Sequence, residues 1–270
     1  MNLIPYSFYD PGTSYFWAHF GLVILGFILA VITCISQWIV PAPYGKHQRK
    51  APGWGPEVPQ RLSHMFSDSV TGIIMFSLVF FLFSEEESDK GVVNYVLYGI
   101  FIIHTLHRGL ITPLTMRYKS PTVPLGITLG TIFPNALYQW LISNHIGVAG
   151  YDKDYCYDPR FIVGILMYFT GFIINRWADY KLRSLRSVKG CTGYYIPYGG
   201  LFDLIVMPNY FGELVQWIGW TIATWSLSGV VWTLFCAATF VARSRHNLVW
   251  YKEQFENYPS NRKALIPFLF

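Results

Sequence analysis

Seven apolar segments alternate with polar connectors along the 270 residues of the chain. Several of them approach or exceed the ~20 residues that an α-helix needs to cross the hydrocarbon core of a bilayer. The fifth continues as a polar helical extension to about Arg186, and Ser228-Gly229 separates the last two. This pattern predicts an all-α integral membrane protein with seven transmembrane helices in one domain, 1–270. The segments cover residues 16–40, 62–83, 92–116, 123–148, 159–175, 210–227 and 230–242.

Composition and charge support a membrane protein with a defined orientation. The chain is 53% hydrophobic and 13% charged, whereas soluble domains carry about 25% charged residues. If the N-terminus is outside, the loops at 41–61, 117–122 and 181–207 and the tail hold fifteen Lys and Arg residues, against three in the outer connectors. This positive-inside bias predicts an N-terminus outside or in the lumen and a cytoplasmic C-terminus. The membrane would be the endoplasmic reticulum in a eukaryote or the inner membrane in a bacterium.

Two other kinds of partner are not predicted. The net charge of +5 resides in short connectors, so it indicates loop charges beside a bilayer and not a nucleic-acid surface. Four cysteines, Cys34, Cys156, Cys191 and Cys236, show no CxxC spacing, and two lie inside apolar segments. The sequence therefore predicts neither a metal site nor a disulfide framework.

Polar residues at the ends of the fifth and sixth helices are candidates for a binding site. Asn175, Asp179 and Arg186 fall within roughly 40° of one another on a helix, although a solvated helix end with an Asp179–Arg183 pair explains them equally well. Asn209 is a plausible N-cap. Glu213, one turn into an apolar segment and on the same face as Trp217, should have a partner or a ligand.

Charged residues inside other helices indicate a ligand as well. Arg108 lies within the third helix and requires an anion or a water-filled cavity. Asp68, preceded by Ser67 in the second helix, could stay protonated when buried and donate a hydrogen bond, or pair with His64. Asn135 and Gln139 lie four residues apart in the fourth helix. A phosphorylated ligand or lipid headgroups would suit the basic residues of one membrane side, which are Lys46, Arg117, Lys119, Arg186, Arg243 and Arg245.

Taken together, several motifs resemble the steroid 5α-reductases, membrane enzymes that reduce a carbon–carbon double bond conjugated to a ketone using NADPH. The resemblance covers nearly the whole chain, and it is strongest after Asn175. The motifs are residues 42–47 (APYGKH), His107-Arg108, Asn175 with Asp179-Tyr180, Tyr194 with Ile196-Pro197, Gly199-Gly200, 208–213 (PNYFGE), 223–226 (ATWS) and 262–270 (RKALIPFLF).

The resemblance implies seven transmembrane helices that enclose NADPH and a lipophilic substrate, in a protein expected to be a monomer. It places Trp217 and Phe235 in the substrate pocket, and it assigns most of the cofactor motif to residues 175–270. The residues expected to bind NADPH are Tyr44, Lys46, Arg108, Lys119, Asn175, Asp179, Arg186, Tyr194, Asn209, Glu213, Arg243, Asn247 and Tyr251.

The chain departs from the family at the positions that bind the ketone. Where the family has Gln-Glu in the second helix, this chain has Ser67 and Asp68; a register that uses Trp54 and Glu57 matches less well. The catalytic Tyr of the family is Thr105 here, and Thr112 and Asn247 replace an expected Tyr and His. We therefore expect Asp68 to donate a hydrogen bond to the substrate carbonyl as enolate charge develops, with Thr105 and Ser67 as further donors.

Other functions stay open at this point. A reductase of an enoyl thioester or a polyprenol would keep the NADPH residues and change the carbonyl site. A sterol- or lipid-binding membrane protein that has lost catalysis would oxidise no NADPH with any enone, although it could still bind NADPH. A membrane methyltransferase, which would bind a sulfonium cofactor and no NADPH, is a more distant alternative.

Overall fold

Seven long helices make up most of the part of the chain that the structure describes. The computed structural model describes residues 12–43, 45–47, 54–82, 90–116, 118, 121–185 and 194–270. The helices are α1 (Ser14–Ile39), α2 (Gln60–Leu82), α3 (92–115), α4 (Leu125–Val148), α5 (Pro159–Leu185), α6 (Pro208–Thr224) and α7 (Leu227–Gln254).

Short elements join the helices. Three single 3₁₀ turns span Gly45–His47, Tyr155–Tyr157 and Gly200–Asp203. Two three-residue strands, β1 (Glu57–Pro59) and β2 (Thr122–Pro124), pair antiparallel with Val58 opposite Val123. The sequence analysis did not predict these strands, which bring the start of α2 next to the start of α4.

Four helices, α1, α2, α5 and α7, are long and apolar enough to cross a membrane by length and composition. Helix α1 illustrates the reason, because only 22% of its most apolar window is buried and large side chains such as Phe27 and Ile35 are exposed. Such a surface is stable against lipid tails and not against water. The prediction of an all-α membrane protein is confirmed at this level, and the prediction of seven crossings is untested.

Two of the helices contain π-helical segments. Residues Phe66–Met75 of α2 and His107–Ile111 of α3 are π-helical, a conformation that is frequent at functional sites. A Cβ added to Gly109 would lie 2.5 Å from Ser69 Oγ and 2.9 Å from its backbone nitrogen. The absent side chain therefore lets the two segments pack closely, and this contact brings Asp68 near Arg108.

Helices α5 and α6 pack through glycines. Cβ atoms added to Gly171 and Gly219 would lie 2.3 Å and 2.5 Å from backbone nitrogens of the opposite helix, at Gln216 and Tyr168. Small residues of this kind let helices in membranes approach closely, so that van der Waals contact stabilises the pair. The close approach also places Asn175 of α5 beside α6.

The boundaries of α6 and α7 correct two sequence predictions. Helix α6 begins at Pro208 with Met207 as its N-cap, so the prediction of Asn209 as the N-cap is wrong. The break between α6 and α7 lies at Trp225, whose φ of 46° is left-handed, and at Ser226, whose side chain accepts from Gly229 N at 3.0 Å. The break was predicted slightly later, at Ser228-Gly229.

Helix α7 extends well beyond the apolar segment that predicted it. The segment ends near Ala242, but the helix continues to Gln254. Arg243, Asn247 and Tyr251 occur at intervals of four residues and are all at least 96% buried. The helix continues because this polar face packs inward, and the same face lines the cavity described below.

Candidate active site

Two cavities lie among the helices and share lining residues. The larger has a volume of about 310 Å³, and aromatic rings form much of its wall. The smaller has a volume of about 240 Å³ and a wall rich in charged and polar side chains. His64, Tyr210 and Arg243 line both cavities, so the two spaces adjoin.

Aromatic side chains from α3, α6 and α7 form the apolar wall of the larger cavity. Trp217 is 99% buried, and its ring centroid lies 5.3 Å from that of Trp232 in an edge-to-face arrangement. Phe101 and Phe235 complete this wall. Trp217 and Phe235, the two residues predicted for the substrate pocket, therefore both line this cavity.

A network of charges lies where the wall of the larger cavity meets α5. Arg108 NH1 lies 3.1 Å from Glu213 Oε1, and Arg108 Nε lies 3.7 Å from Asp68 Oδ1. Glu213 Oε2 also accepts a hydrogen bond from Asn175 Nδ2 at 3.2 Å. Opposite charges thus compensate one another in a setting where an isolated buried charge would be costly.

The amide of Asn175 has a defined orientation in this network. Its nitrogen donates to the Asn209 carbonyl at 2.8 Å and to Glu213, while its oxygen accepts from Arg176. Since carboxylate and carbonyl oxygens only accept and a guanidinium only donates, the flipped amide would lose all three contacts. Asn209 in turn donates to Asp179 Oδ1 at 3.1 Å, which links three of the predicted cofactor residues.

Asp68 has a partner that the sequence analysis did not assign. Asn135 of α4 donates from Nδ2 to Asp68 Oδ1 at 3.1 Å. Both contacts of Asp68, with Asn135 and with Arg108, are made through Oδ1. His64, the alternative partner considered from the sequence, lies instead in the wall shared by the two cavities, with its ring stacked 5.6 Å from that of Tyr118.

The other two predicted donors also line the larger cavity, but their hydroxyl groups bind their own helices. Ser67 donates to the His64 carbonyl at 3.2 Å. Thr105 Oγ1 lies 3.2 Å and 3.1 Å from the carbonyl oxygens of Phe101 and Ile102. Either hydroxyl would have to leave these carbonyls before it could donate to a substrate.

The smaller cavity has a cationic character suited to phosphate. Lys46, Arg183 and Arg243 line it, together with the carboxylate of Asp179. Lys46 Nζ lies 4.0 Å above the Tyr251 ring, and Arg243 Nε donates to Tyr210 Oη at 3.4 Å. Cations held in place by aromatic rings and hydroxyl groups can bind an anionic ligand.

The predicted cofactor residues divide between the two cavities. Those of the larger cavity, Arg108 and Glu213, lie at the charge network, and Asn175 contacts them from α5. Tyr44, Lys119 and Arg186 lie outside the described residues. The smaller cavity is lined by Lys46, Asp179, Tyr194, Asn209, Arg243, Asn247 and Tyr251.

Two titratable groups beside the smaller cavity have shifted pKa values. Burial, together with the nearby charges of Arg243, His246 and Lys46, lowers the pKa of His47 to about 4. Burial also raises the pKa of Tyr118 to about 12. Both side chains are therefore neutral at pH 7, and the positive charge of this cavity comes from its lysine and arginines.

Sequence reasoning missed two polar residues of the site. Arg176, which contacts Asn175 and His107, is an arginine inside an apolar helix, and this feature alone could have marked it. Asn135 carried a weaker signal, its spacing of four residues from Gln139. The described residues contain no group of three or more His, Cys, Asp or Glu side chains that could hold a metal ion.

Comparison with known proteins identifies the family. Residues 121–270 match the family model for 3-oxo-5-alpha-steroid 4-dehydrogenase. The chain is 36% identical over 261 residues to a steroid 5-alpha-reductase DET2 of Gossypium hirsutum, covering 93% of this chain and 97% of the relative. It is 35% identical to 3-oxo-5-alpha-steroid 4-dehydrogenase 1 of Rattus norvegicus, with 92% and 94% covered, and 35% identical to that of Homo sapiens, with 84% and 86% covered.

The chain therefore belongs to the steroid 5α-reductase family, as its motifs predicted, and it is an oxidoreductase. Membership of this family implies a nicotinamide cofactor. The smaller cavity fits the phosphate groups of such a cofactor, because three cationic side chains line it.

Proposed function

From its membership of the steroid 5α-reductase family, we propose that this protein reduces the Δ4 double bond of a 3-oxosteroid with NADPH, giving the 5α product. One observation carries the proposal: an aromatic cavity and a cationic cavity adjoin, and the charge network of Asp68, Arg108 and Glu213 lines the aromatic one. A steroid fits the first environment and the phosphates of a dinucleotide fit the second.

The cationic cavity would hold the cofactor through named residues of this chain. Lys46, Arg183 and Arg243 would bind phosphate oxygens. Glu213, in the wall of the larger cavity, and Asn175, which donates to it, would bind polar groups at the other end of the cofactor. When bound, NADPH supplies the hydride, and the protein positions it against the substrate and excludes water.

At the carbonyl end, Asp68 is the donor that we assign to the substrate oxygen. Asn135 donates to Oδ1, and Arg108 Nε lies 3.7 Å from the same oxygen, so a proton that Asp68 donates would be carried by Oδ2. That proton would form a hydrogen bond with the 3-oxo group, and the bond would strengthen as enolate charge develops on the oxygen. Aspartate is one methylene shorter than the glutamate of the family, and Asn135 compensates by fixing its position.

The decisive experiment measures NADPH oxidation by the purified protein in detergent. The substrates are a 3-oxo-Δ4-steroid, an enoyl-CoA and a no-substrate control, and the steroid product is identified by mass spectrometry against a 5α standard. We expect oxidation that depends on the steroid, and a loss of about 100- to 1,000-fold in kcat for Asp68→Ala. Full activity in both Asp68→Ala and Asp68→Asn would remove Asp68 from the mechanism.

Activity on the enoyl-CoA and not on the steroid would show that the substrate is another unsaturated lipid. NADPH binding without turnover of any enone would support a silent lipid-binding protein. Binding of a sulfonium cofactor without NADPH would support the methyltransferase. Each result leaves the family assignment intact and changes only the proposed substrate or reaction.

We also propose that all seven helices cross the membrane, with the C-terminus cytoplasmic and the protein a monomer. The charge bias of the connectors supports the topology, and the monomer is an expectation from the family resemblance. Glycosylation sites introduced at the two termini test the orientation, since only a lumenal site is modified in microsomes. Light scattering of the detergent-purified protein tests the monomer, and modification of the C-terminal site would refute the topology.

A further inference from the structure

A row of polar contacts joins α2 to α4, and part of this row lines the larger cavity. The contacting residues advance by five and eight positions on α2 and by seven and eight on α4, so successive contacts lie about one and a half to two turns apart. In every case a side chain of α4 supplies a polar partner to α2. The contacts are Ser63 with Thr128 at 2.7 Å, Asp68 with Asn135 at 3.1 Å and the Phe76 carbonyl with Ser143 at 2.6 Å.

One position in this row is different. Gln139, one turn after Asn135, faces Gly72, which has no side chain. A Cβ added to Gly72 would lie 3.3 Å from Gln139 Oε1. Gln139 is 95% buried and lines the larger cavity, and its Oε1 has no hydrogen-bond partner among the described residues. A buried amide that is left unsatisfied costs about 1–3 kcal/mol, so its presence requires an explanation.

Gly72 also lies beside Thr105, the position at which the resemblance places the catalytic Tyr of the family. A Cβ added to Gly72 would lie 2.7 Å from the methyl group of Thr105. Thr105 therefore presents its methyl group to the surface where Gln139 lies, while its hydroxyl contacts main-chain oxygens of its own helix. The hydroxyl group at this position belongs to a threonine, which is shorter than the tyrosine of the family, and it already binds its own helix. The side-chain amide of Gln139 lies next to it.

We propose that the side-chain amide of Gln139 is a catalytic hydrogen-bond donor to the substrate carbonyl, acting with Asp68 in place of a hydroxyl at position 105. The proposal rests on the reductase function argued above. Rotation of the terminal amide exchanges its oxygen and nitrogen, so either can face the cavity. The N–H group would be the one that meets a carbonyl.

The chemistry favours a donor at this place. When a hydride adds to the β-carbon of an enone, the π electrons of the double bond shift and negative charge accumulates on the carbonyl oxygen. The α-carbon later takes a proton and the carbonyl is restored. A neutral amide that is already in place stabilises the intermediate charge without reorganisation, as Asn and Gln side chains do in oxyanion holes. The N–H bond stays intact throughout.

The test compares variants at Gln139 with a control in the same row. Gln139→Met keeps the length of the side chain and removes the amide, and we expect kcat for a 3-oxo-Δ4-steroid to fall about 10- to 100-fold with the KM for NADPH unchanged. Thr105→Val is expected to lower kcat less. Ser143→Ala removes a contact of the row outside the cavity, so its kcat should stay within about twofold of the wild type.

A rescue variant separates chemistry from packing. Gln139→Ala makes room beside Gly72, and Thr105→Tyr then supplies a phenol at the family position. The double variant should recover at least part of the activity that Gln139→Ala loses, whereas Gln139→Ala with Thr105→Phe, which refills the same space without a hydroxyl group, should not. A double variant with no more activity than Gln139→Ala would contradict the proposal.

Binding provides a readout that does not depend on turnover. Quenching of tryptophan fluorescence reports ligands in the larger cavity, because Trp217 and Trp232 line it. With NADP⁺ present, the Gln139→Met change should weaken the 3-oxo-Δ4-steroid about tenfold and leave the same steroid without its 3-oxo group unaffected. If the change weakens the binding of both steroids equally, Gln139 contributes packing and not a hydrogen bond to the carbonyl.

The two proposals can fail separately. If the wild type reduces the steroid and Gln139→Met matches it in kcat and binding, only the role of Gln139 is refuted. If the wild type neither binds nor reduces the steroid, the proposed function is refuted, and the role of Gln139 at a steroid carbonyl falls with it.

Discussion

Replacing Glu213 with glutamine should destabilise the protein substantially, although the change is nearly isosteric. Glu213 is 96% buried and accepts from Arg108 at 3.1 Å and 3.3 Å and from Asn175 at 3.2 Å. Glutamine retains one acceptor oxygen, but its NH₂ group must face either a guanidinium or an amide N–H₂. One buried donor is therefore left facing another donor, and Arg108 loses most of its counter-charge.

The magnitude follows from burial. Breaking a fully buried ion pair from one side costs about 3–5 kcal/mol, but 43% of the Arg108 side chain is exposed, and screening reduces the loss. We expect a loss of roughly 2–3 kcal/mol, and since 1 kcal/mol lowers Tm by about 2–4 °C in chains of 150–250 residues, Tm should fall by about 4–12 °C. NADPH should also protect the variant less, because stabilisation by a ligand scales with its affinity.

Thermal unfolding in detergent, followed by tryptophan fluorescence with and without NADPH, measures both effects. Glu253→Gln is the matched control, because it makes the same chemical change at an exposed position of α7. Equal Tm values for the two variants would refute the assignment of Glu213 to a buried charge network. If Tm is lowered but NADPH stabilises the variant as much as the wild type, Glu213 belongs to the buried charge network but does not bind the cofactor.

Three further predictions follow from the contacts described above. Gly171→Ala places a Cβ 2.3 Å from a backbone nitrogen of α6 and should lower the free energy of unfolding by about 1–3 kcal/mol. The control is Gly99→Ala, whose added Cβ has nothing within 4 Å and which should be neutral or stabilising in the same thermal assay. Asn135→Leu should lower kcat more than it raises the KM for NADPH, and a parallel loss in both would refute a role in positioning Asp68. His47 has a pKa of about 4 in the folded protein and about 6.5 in the unfolded chain, so the unfolded state binds more protons between these two pH values. The free energy of unfolding should therefore decrease as the pH falls from 6.5 to 4. This decrease should be less steep in His47→Asn.

The sequence predicted the helices well because apolar segments long enough to cross a membrane rarely form anything but helix. It predicted helix ends poorly where the helix outlasts the apolar segment. The polar residues from Arg243 to Gln254 continue α7 because one face of them is buried. Hydropathy reports the solvent around a helix and not the helix itself, so this extension could be found only once its packing was known.

The resemblance supplied the cofactor residues, but it could not supply the partners of Asp68. Asn135 reaches Asp68 from another helix, and the contact depends on how α2 and α4 are aligned along their lengths. The pairing of β1 with β2 at the start of both helices sets that alignment. Periodicity places a residue on a face, whereas alignment decides which residue it meets, and single-sequence patterns carry no information on the latter.

The charged contacts constrain the larger cavity more strongly than the neutral donors do. Arg108 lies between two carboxylates, those of Glu213 and Asp68, and the loss of Arg108 would leave the buried charge of Glu213 uncompensated. Neutral donors carry no such constraint. A hydroxyl at position 105 can give way to an amide at Gln139 without disturbing the charge balance, provided that both reach the same oxygen. The carbonyl site can therefore change its neutral donors while the charged network stays the same.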